Sequence, residues 1–134
     1  MSAFSLDLEN KVMNHILGGG DYSRLATVHL ALFTAAPTET GGGTEVSGSG
    51  YSRLAITNNS TNFPAASGGQ KSNGTAFTFP AASGGSWGIV THWAFMSAST
   101  GGDILFFGAL SSAKTVNNTD VLSFGVGQLS ITLD

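Results

Sequence analysis

Apolar residues recur every fourth position at the start of the chain, at Phe4, Leu8, Val12 and Ile16, with Met13 and Leu17 widening the row. That spacing predicts one amphipathic helix. Ser2 or Ser5 can cap its start, Asp7 and Glu9 suit the positive end of its dipole, and Gly18-Gly19-Gly20 ends it. We expect residues 1–20 to be this helix and its cap, and 21–134 to complete the same single domain. The stripe suits burial against a sheet of the same domain. The alternative is a docking helix whose stripe reaches a neighbouring subunit.

After the helix the period changes to two. Thr27 to Ala35, "TVHLALFTA", places Val28, Leu30 and Leu32 on one face and His29, Ala31 and Phe33 on the other. Pro37 stops it, because proline has no N–H for a ladder. Residues 37–50, "PTETGGGTEVSGSG", then read as a long loop with little to bury, the kind of segment that meets a partner. "YSRLAITNN" resumes a strand, and Asn73-Gly74 signals a hairpin turn before "TAFTFP". Trp87 to Ala98, "WGIVTHWAFMSA", alternates with apolar residues on both faces, as a covered central strand does. "ILFFGAL", "DVLSFGV" and "QLSITLD" complete seven or eight short strands between turns. The pattern predicts a mainly β fold, an antiparallel sandwich or jelly roll with one N-terminal helix.

Two strings recur. FPAASGG stands at 63–69 and 79–85, and YSRLA at 22–26 and 51–55. A solenoid needs about three copies of a unit of some 20 residues or more. Two short copies with unlike residues between them mark similar strand ends. With no heptads over several turns, the sequence predicts neither a fibre shaft nor a coiled-coil stalk.

Composition narrows the chemistry. Charged residues make up 10% of the chain, with 19 glycines, no cysteine and a net charge of −3. An ordinary domain carries about 25% charge. The five basic residues are scattered, so nucleic acid is not an expected partner. No apolar run approaches the ~20 residues that span a bilayer, and "MSAFSLDLENK" lacks the form of a signal peptide. A soluble protein made in a cytoplasm, with no membrane partner, is expected. Without cysteine there is no thiolate site or disulfide. His15, His29 and His92 have no G-x-S-x-G elbow or spaced acid to form a triad. "TGGD" and "NNTD" are too poor in acids for a calcium loop. We therefore expect no enzyme, no catalytic residue, no cofactor and no metal. An exposed tryptophan can stack on a pyranose, and Trp87 is the best candidate, with Tyr51 next.

Four blocks carry a resemblance: "LENKVMNHIL", "VHLALFTAAPTETGGGTEVSGSGYSR", "WGIVTHWAFMSASTGGDILFFGAL" and "KTVNNTD…LSITLD". Together they resemble a family of small tailed-bacteriophage virion proteins that carry the tail-fibre label. The order L-x-L-F-T, G-T-E-V-S-G-x-G-Y, W-G-x-V-T-H runs nearly end to end. The resemblance implies a virion component, made in the bacterial host cytoplasm, without catalytic residues. A compact sandwich with no shaft suits a capsid cement or decoration protein that binds the major capsid protein at subunit junctions. The alternatives are a tail-fibre or tail-tip adaptor, a module binding host-surface glycan, and a tail-tube subunit. Symmetric sites make a homo-oligomer the expectation. The expected partner contacts are Phe4, Leu8 and Val12 on the helix, Glu39 and Glu45 in the loop, and Trp87.

Overall fold

A computed structural model of the chain describes residues 2–133. Among the described residues the ten strands are β1 Ser2–Phe4, β2 Thr27–Ala35, β3 Thr44–Glu45, β4 Leu54–Thr57, β5 Gln70–Ser72, β6 Phe77–Thr78, β7 Gly88–Met96, β8 Ile104–Val116, β9 Ser123–Phe124 and β10 Ser130–Thr132. The helix α1 is Leu6–Ile16. The main antiparallel sheet runs β1-β8-β7-β2, with β3 and β4 both on the outer edge of β2. Two short antiparallel ribbons, β10-β5 and β6-β9, are separate from it.

The mainly β sandwich with one helix expected from the pattern is the fold that forms. Register explains its core. Leu30 lies opposite Phe95 and Leu32 opposite Trp93, so the large side chains of β2 and β7 share one face. On that face they meet Leu8 of α1, Phe77, Phe79, Phe124 and Leu129 in one buried cluster. The other face is smaller in volume, with Ala31 opposite Ala94, flanked by Phe33, Met96, Ile104 and Phe107. Expected alternation in β7 fails at one place. The register between β7 and β8 shifts between Val90 and His92, and Val90 joins Trp93 and Phe95 in the same core while Ile89 is left exposed.

The helix begins later than the stripe. Residues 2–4 pair with β8, which puts Phe4 opposite Phe106, with ring centroids 4.7 Å apart. Ser5 caps the helix by accepting the Leu8 N–H at 3.1 Å. The segment 37–50 also departs from a plain loop, since Pro37 and Val46 are buried and Thr44–Glu45 pair with β2. Gly43 makes the reversal possible: its φ is +73°, and a Cβ there would stand 2.7 Å from the Ala35 carbonyl oxygen.

Asn73-Gly74 does not make a hairpin. β5 and β6 flank it but pair with different partners, β10 and β9. Asn73 is 2% exposed and joins three segments. Its Nδ2 donates to the carbonyls of Thr75 at 2.8 Å and Gly125 at 2.9 Å, while Oδ1 accepts the Leu129 N–H at 3.0 Å. The two FPAASGG strings also find different surroundings. Phe79 and Ala82 of the second are buried in the core, whereas Ala66 of the first is exposed.

Removing the Asn73 side chain strands two carbonyls and an N–H. We expect Asn73→Ala to lower unfolding free energy by about 3 kcal/mol in urea titration. Asn73→Asp puts a carboxylate oxygen against the same two carbonyls. Folding raises the pKa of that acid, so the variant loses stability as pH rises through the unfolded carboxylate value, and the deficit levels off above the folded one. A deficit of Asn73→Asp that is constant across that window contradicts this account of the site.

Candidate partner-contact corner

The helix start, the 37–45 segment and the turn between β7 and β8 meet at one corner of the sheet. Ser5 N–H donates to the Leu105 carbonyl and Leu6 N–H to the Glu39 carbonyl, both at 2.9 Å. Lys11 Nζ lies 2.7 Å from Asp7 and 3.9 Å from Asp103, so one exposed cation touches both the helix and the turn. Exposed pairs of this kind add little stability. Between these segments runs an open groove of about 580 Å³, lined by Leu6, Asn10, Phe33, Glu39, Met96 and Asp103 among others. Asp7, Glu39 and Asp103 give its rim a negative bias that Lys11 only partly offsets.

A charge network anchors the corner. Arg53 donates from Nε to Glu45 Oε2 and from Nη2 to Oε1, both at 2.9 Å, a two-pronged pair. Its Nη1 donates to the carbonyls of Ala98 and Gly101 at 2.8 Å, tying β3 and β4 to the turn after β7. Tyr51 donates its hydroxyl proton to Glu45 at 2.7 Å and accepts the Leu32 N–H at 3.0 Å. Loss of water around Glu45 pushes its pKa up. Hydrogen bonds from Arg53 and Tyr51, with the Arg53 charge, outweigh that and hold the carboxyl below its usual range. Burial first, and Glu45 second, push the Tyr51 hydroxyl well above its ordinary value. The second YSRLA copy thus supplies Tyr51 and Arg53 to an acid.

The expected contact residues divide. Leu8 is 4% exposed inside the core, and Phe4 and Val12 pack against that core. Leu8 and Val12 hold α1 to its own sheet and Phe4 packs beside them from β1, so Leu8, expected as a partner contact, is enclosed, while Phe4 and Val12 are half-buried. Glu45 is engaged inside the chain, and Glu39 alone of the loop pair is exposed. Trp87 is 5% exposed. Its Nε1 donates to the Ser49 carbonyl at 2.9 Å, and Tyr51 meets the indole edge-on at a centroid distance of 5.4 Å. A ring enclosed in this way cannot stack on a sugar, so the expected glycan platform at Trp87 is withdrawn. Tyr51, the other candidate, is spent on Glu45 and Leu32.

The exposed apolar residues of α1 and its C-cap are others: Leu6, Met13, Ile16 at 69% and the capping Leu17 at 74%. Leu6, Met13 and Leu17 are spaced seven and four apart, a second row pointing away from Leu8 and Val12. In the sequence this row merges with the buried one. The spacing itself was the available signal, since a single row cannot face two ways.

Among the described residues no group of three or more His, Asp or Glu side chains is arranged to hold a metal, and no helix is long and apolar enough to cross a membrane. His92 Nδ1 is 2.8 Å from the Thr91 hydroxyl, and His15 Nδ1 accepts the Tyr22 N–H.

Residues 3–132 match the family described as Podophage GP4 fiber I protein gp80. The chain belongs to this family. No curated protein matches it. The match covers the β1 strand, the corner and the core together, and it favours a fibre-type structural protein of the phage particle over capsid cement. The G-T-E-V-S-G-x-G-Y string now has a physical reading within this member. Glu45 and Tyr51 bond each other, and Ser49 receives the Trp87 indole.

Glu45→Gln leaves the Arg53 charge half-buried without its counter-charge, and we expect a loss of about 2–4 kcal/mol at neutral pH. The folded pKa of Glu45 is depressed, so its contribution is present above the unfolded carboxylate pKa of ~4.3 and is lost as pH falls through the folded value. Thermal melts of the two proteins should therefore converge on acidification. A gap that stays constant down to strongly acidic pH assigns the loss to shape rather than charge.

Proposed function

We propose that this chain is a non-enzymatic adaptor in the fibre apparatus of a phage particle, docking onto another virion protein through the α1 corner. The observation that carries the reading is the outward row Leu6, Met13 and Leu17, with exposed Ile16 at the end of the other row, on a helix whose Leu8 and Val12 face is already satisfied. Isolated exposed apolar residues are ordinary, but four on one short helix form a patch of the kind that marks contact with another protein. Asp7, Glu39 and Asp103, which line the groove with Leu6 at the helix start, suit a partner face that offers lysine or arginine there. The family membership supports a place in the fibre apparatus. The form of the chain suits an adaptor rather than a shaft, because FPAASGG and YSRLA each recur only twice within one sandwich. Several copies around a symmetry axis are the natural arrangement on the particle.

Two measurements test this. Quantitative mass spectrometry of purified virions should find few copies of the chain relative to the major capsid protein, whereas near-equal numbers would restore the cement reading. Met13→Asp together with Leu17→Asp should keep the melting temperature within a few degrees, since both side chains are exposed. The same double variant should be missing from assembled particles, and normal incorporation would remove α1 from the contact.

A further inference from the structure

Asn73-Gly74 is the one Asn-Gly step in the chain, and Asn-Gly is the asparagine step most open to spontaneous deamidation, because glycine leaves the following nitrogen unhindered. In that reaction the Gly74 backbone nitrogen loses its proton and attacks Asn73 Cγ. A C–N bond closes a succinimide ring, the Cγ–Nδ2 bond breaks, and ammonia departs carrying a proton. Water then opens the ring at either carbonyl, leaving aspartate or isoaspartate at position 73. No oxidant or enzyme is required.

We infer that Asn73 is a latent deamidation site, held shut by the fold and opened only when the chain unfolds. Every atom the reaction needs is otherwise engaged. The attacking nitrogen's N–H donates to the Asn62 carbonyl at 2.8 Å. The departing Nδ2 donates to Thr75 and Gly125, and Oδ1 is held by the Leu129 N–H. Ring closure requires Cγ to swing toward the Gly74 nitrogen and breaks these bonds together. At 2% exposure the site also denies water to the ring-opening step.

Packing explains why so labile a pair stands here. A Cβ on residue 74 would lie 2.7 and 2.8 Å from Cγ and Cδ of Pro64 and would also strike the Thr61 carbonyl, so glycine alone fits. At 73 the site demands two donors and one acceptor from a short side chain, which asparagine supplies and aspartate does not. The products cannot rebuild the site. Aspartate sets a negative oxygen against two carbonyls, and isoaspartate adds a carbon to the main chain within a closely packed turn. A chain that lingers unfolded is therefore chemically marked, and a chain that folds promptly is preserved.

The test uses the full-length protein, incubated at mildly alkaline pH either folded or in denaturing urea, with peptide mass spectrometry separating the asparagine, aspartate and isoaspartate forms at 73. Opening free energies of protected sites exceed the ~1.4 kcal/mol that corresponds to tenfold, so conversion in the folded protein should be more than about tenfold slower than in urea. Exposed Asn117 is the internal reference, since among the described residues no backbone carbonyl holds the Asn118 N–H as Asn62 holds that of Gly74, and it should change far less between the two conditions. A folded rate at Asn73 within tenfold of the unfolded rate overturns the inference, as does equal slowing at Asn117, which would trace the effect to solution conditions.

Discussion

Pairing of β2 with β7 sets everything else in this protein, because the side-chain period of a strand is two and a slip of one residue would exchange its faces. In the observed register, Leu30, Leu32, Trp93 and Phe95 share the face that receives α1 and the two ribbons. The alanines Ala31 and Ala94 fall on the other. The large-sided face is deep enough to bury Leu8, Phe77, Phe79 and Leu129 from separate segments. Burial at roughly 25 cal/mol per Å² makes this the main favourable term for a chain with so few charges.

Polar groups then decide how the loops are fastened to that sheet. Two fixtures do most of this, and they differ in kind. Asn73 holds β5, β6 and the 125–129 turn together with uncharged hydrogen bonds, so its hold does not depend on pH. Glu45, Tyr51 and Arg53 hold β3, β4 and the turn after β7 with a charge, so theirs does. Each occupies an end of the sandwich where backbone carbonyls converge and apolar packing alone would leave them unpaired.

The corner beside α1 is the consequence that bears on function. One face of the helix is committed to the core through Leu8 and Val12, and the Glu39 carbonyl pins its first turn. The helix is thereby presented as a rigid edge, with Met13, Ile16 and Leu17 projecting from it. Rigid presentation lowers the ordering cost of binding, which is how a small apolar patch becomes a usable contact.

Local pattern was enough for the element types, since periods of two and four are properties of neighbouring residues. β2 was legible to the residue, and the Leu8 and Val12 part of the α1 stripe, the Pro37 stop and the mainly β class were legible too. The virion family was also legible, from strings that run the length of the chain. Where local pattern failed, the deciding partner lay far away in sequence. The Asn73-Gly74 pair looks like a hairpin turn until β10 and β9, far along the chain, claim the strands on either side of it. Trp87 looks like an exposed ring until Tyr51, Phe79 and Ser49 enclose it. Glu45 looks like a loop acid until Arg53 returns along β4 to meet it. Sequence by itself determined the long strands and the helix and which residues are apolar enough to be buried, while the short strands β1 and β3 formed through pairing with β8 and β2. Tertiary structure alone decided which polar residues are consumed inside and which apolar ones remain outside, because that choice depends on long-range pairing rather than on local period.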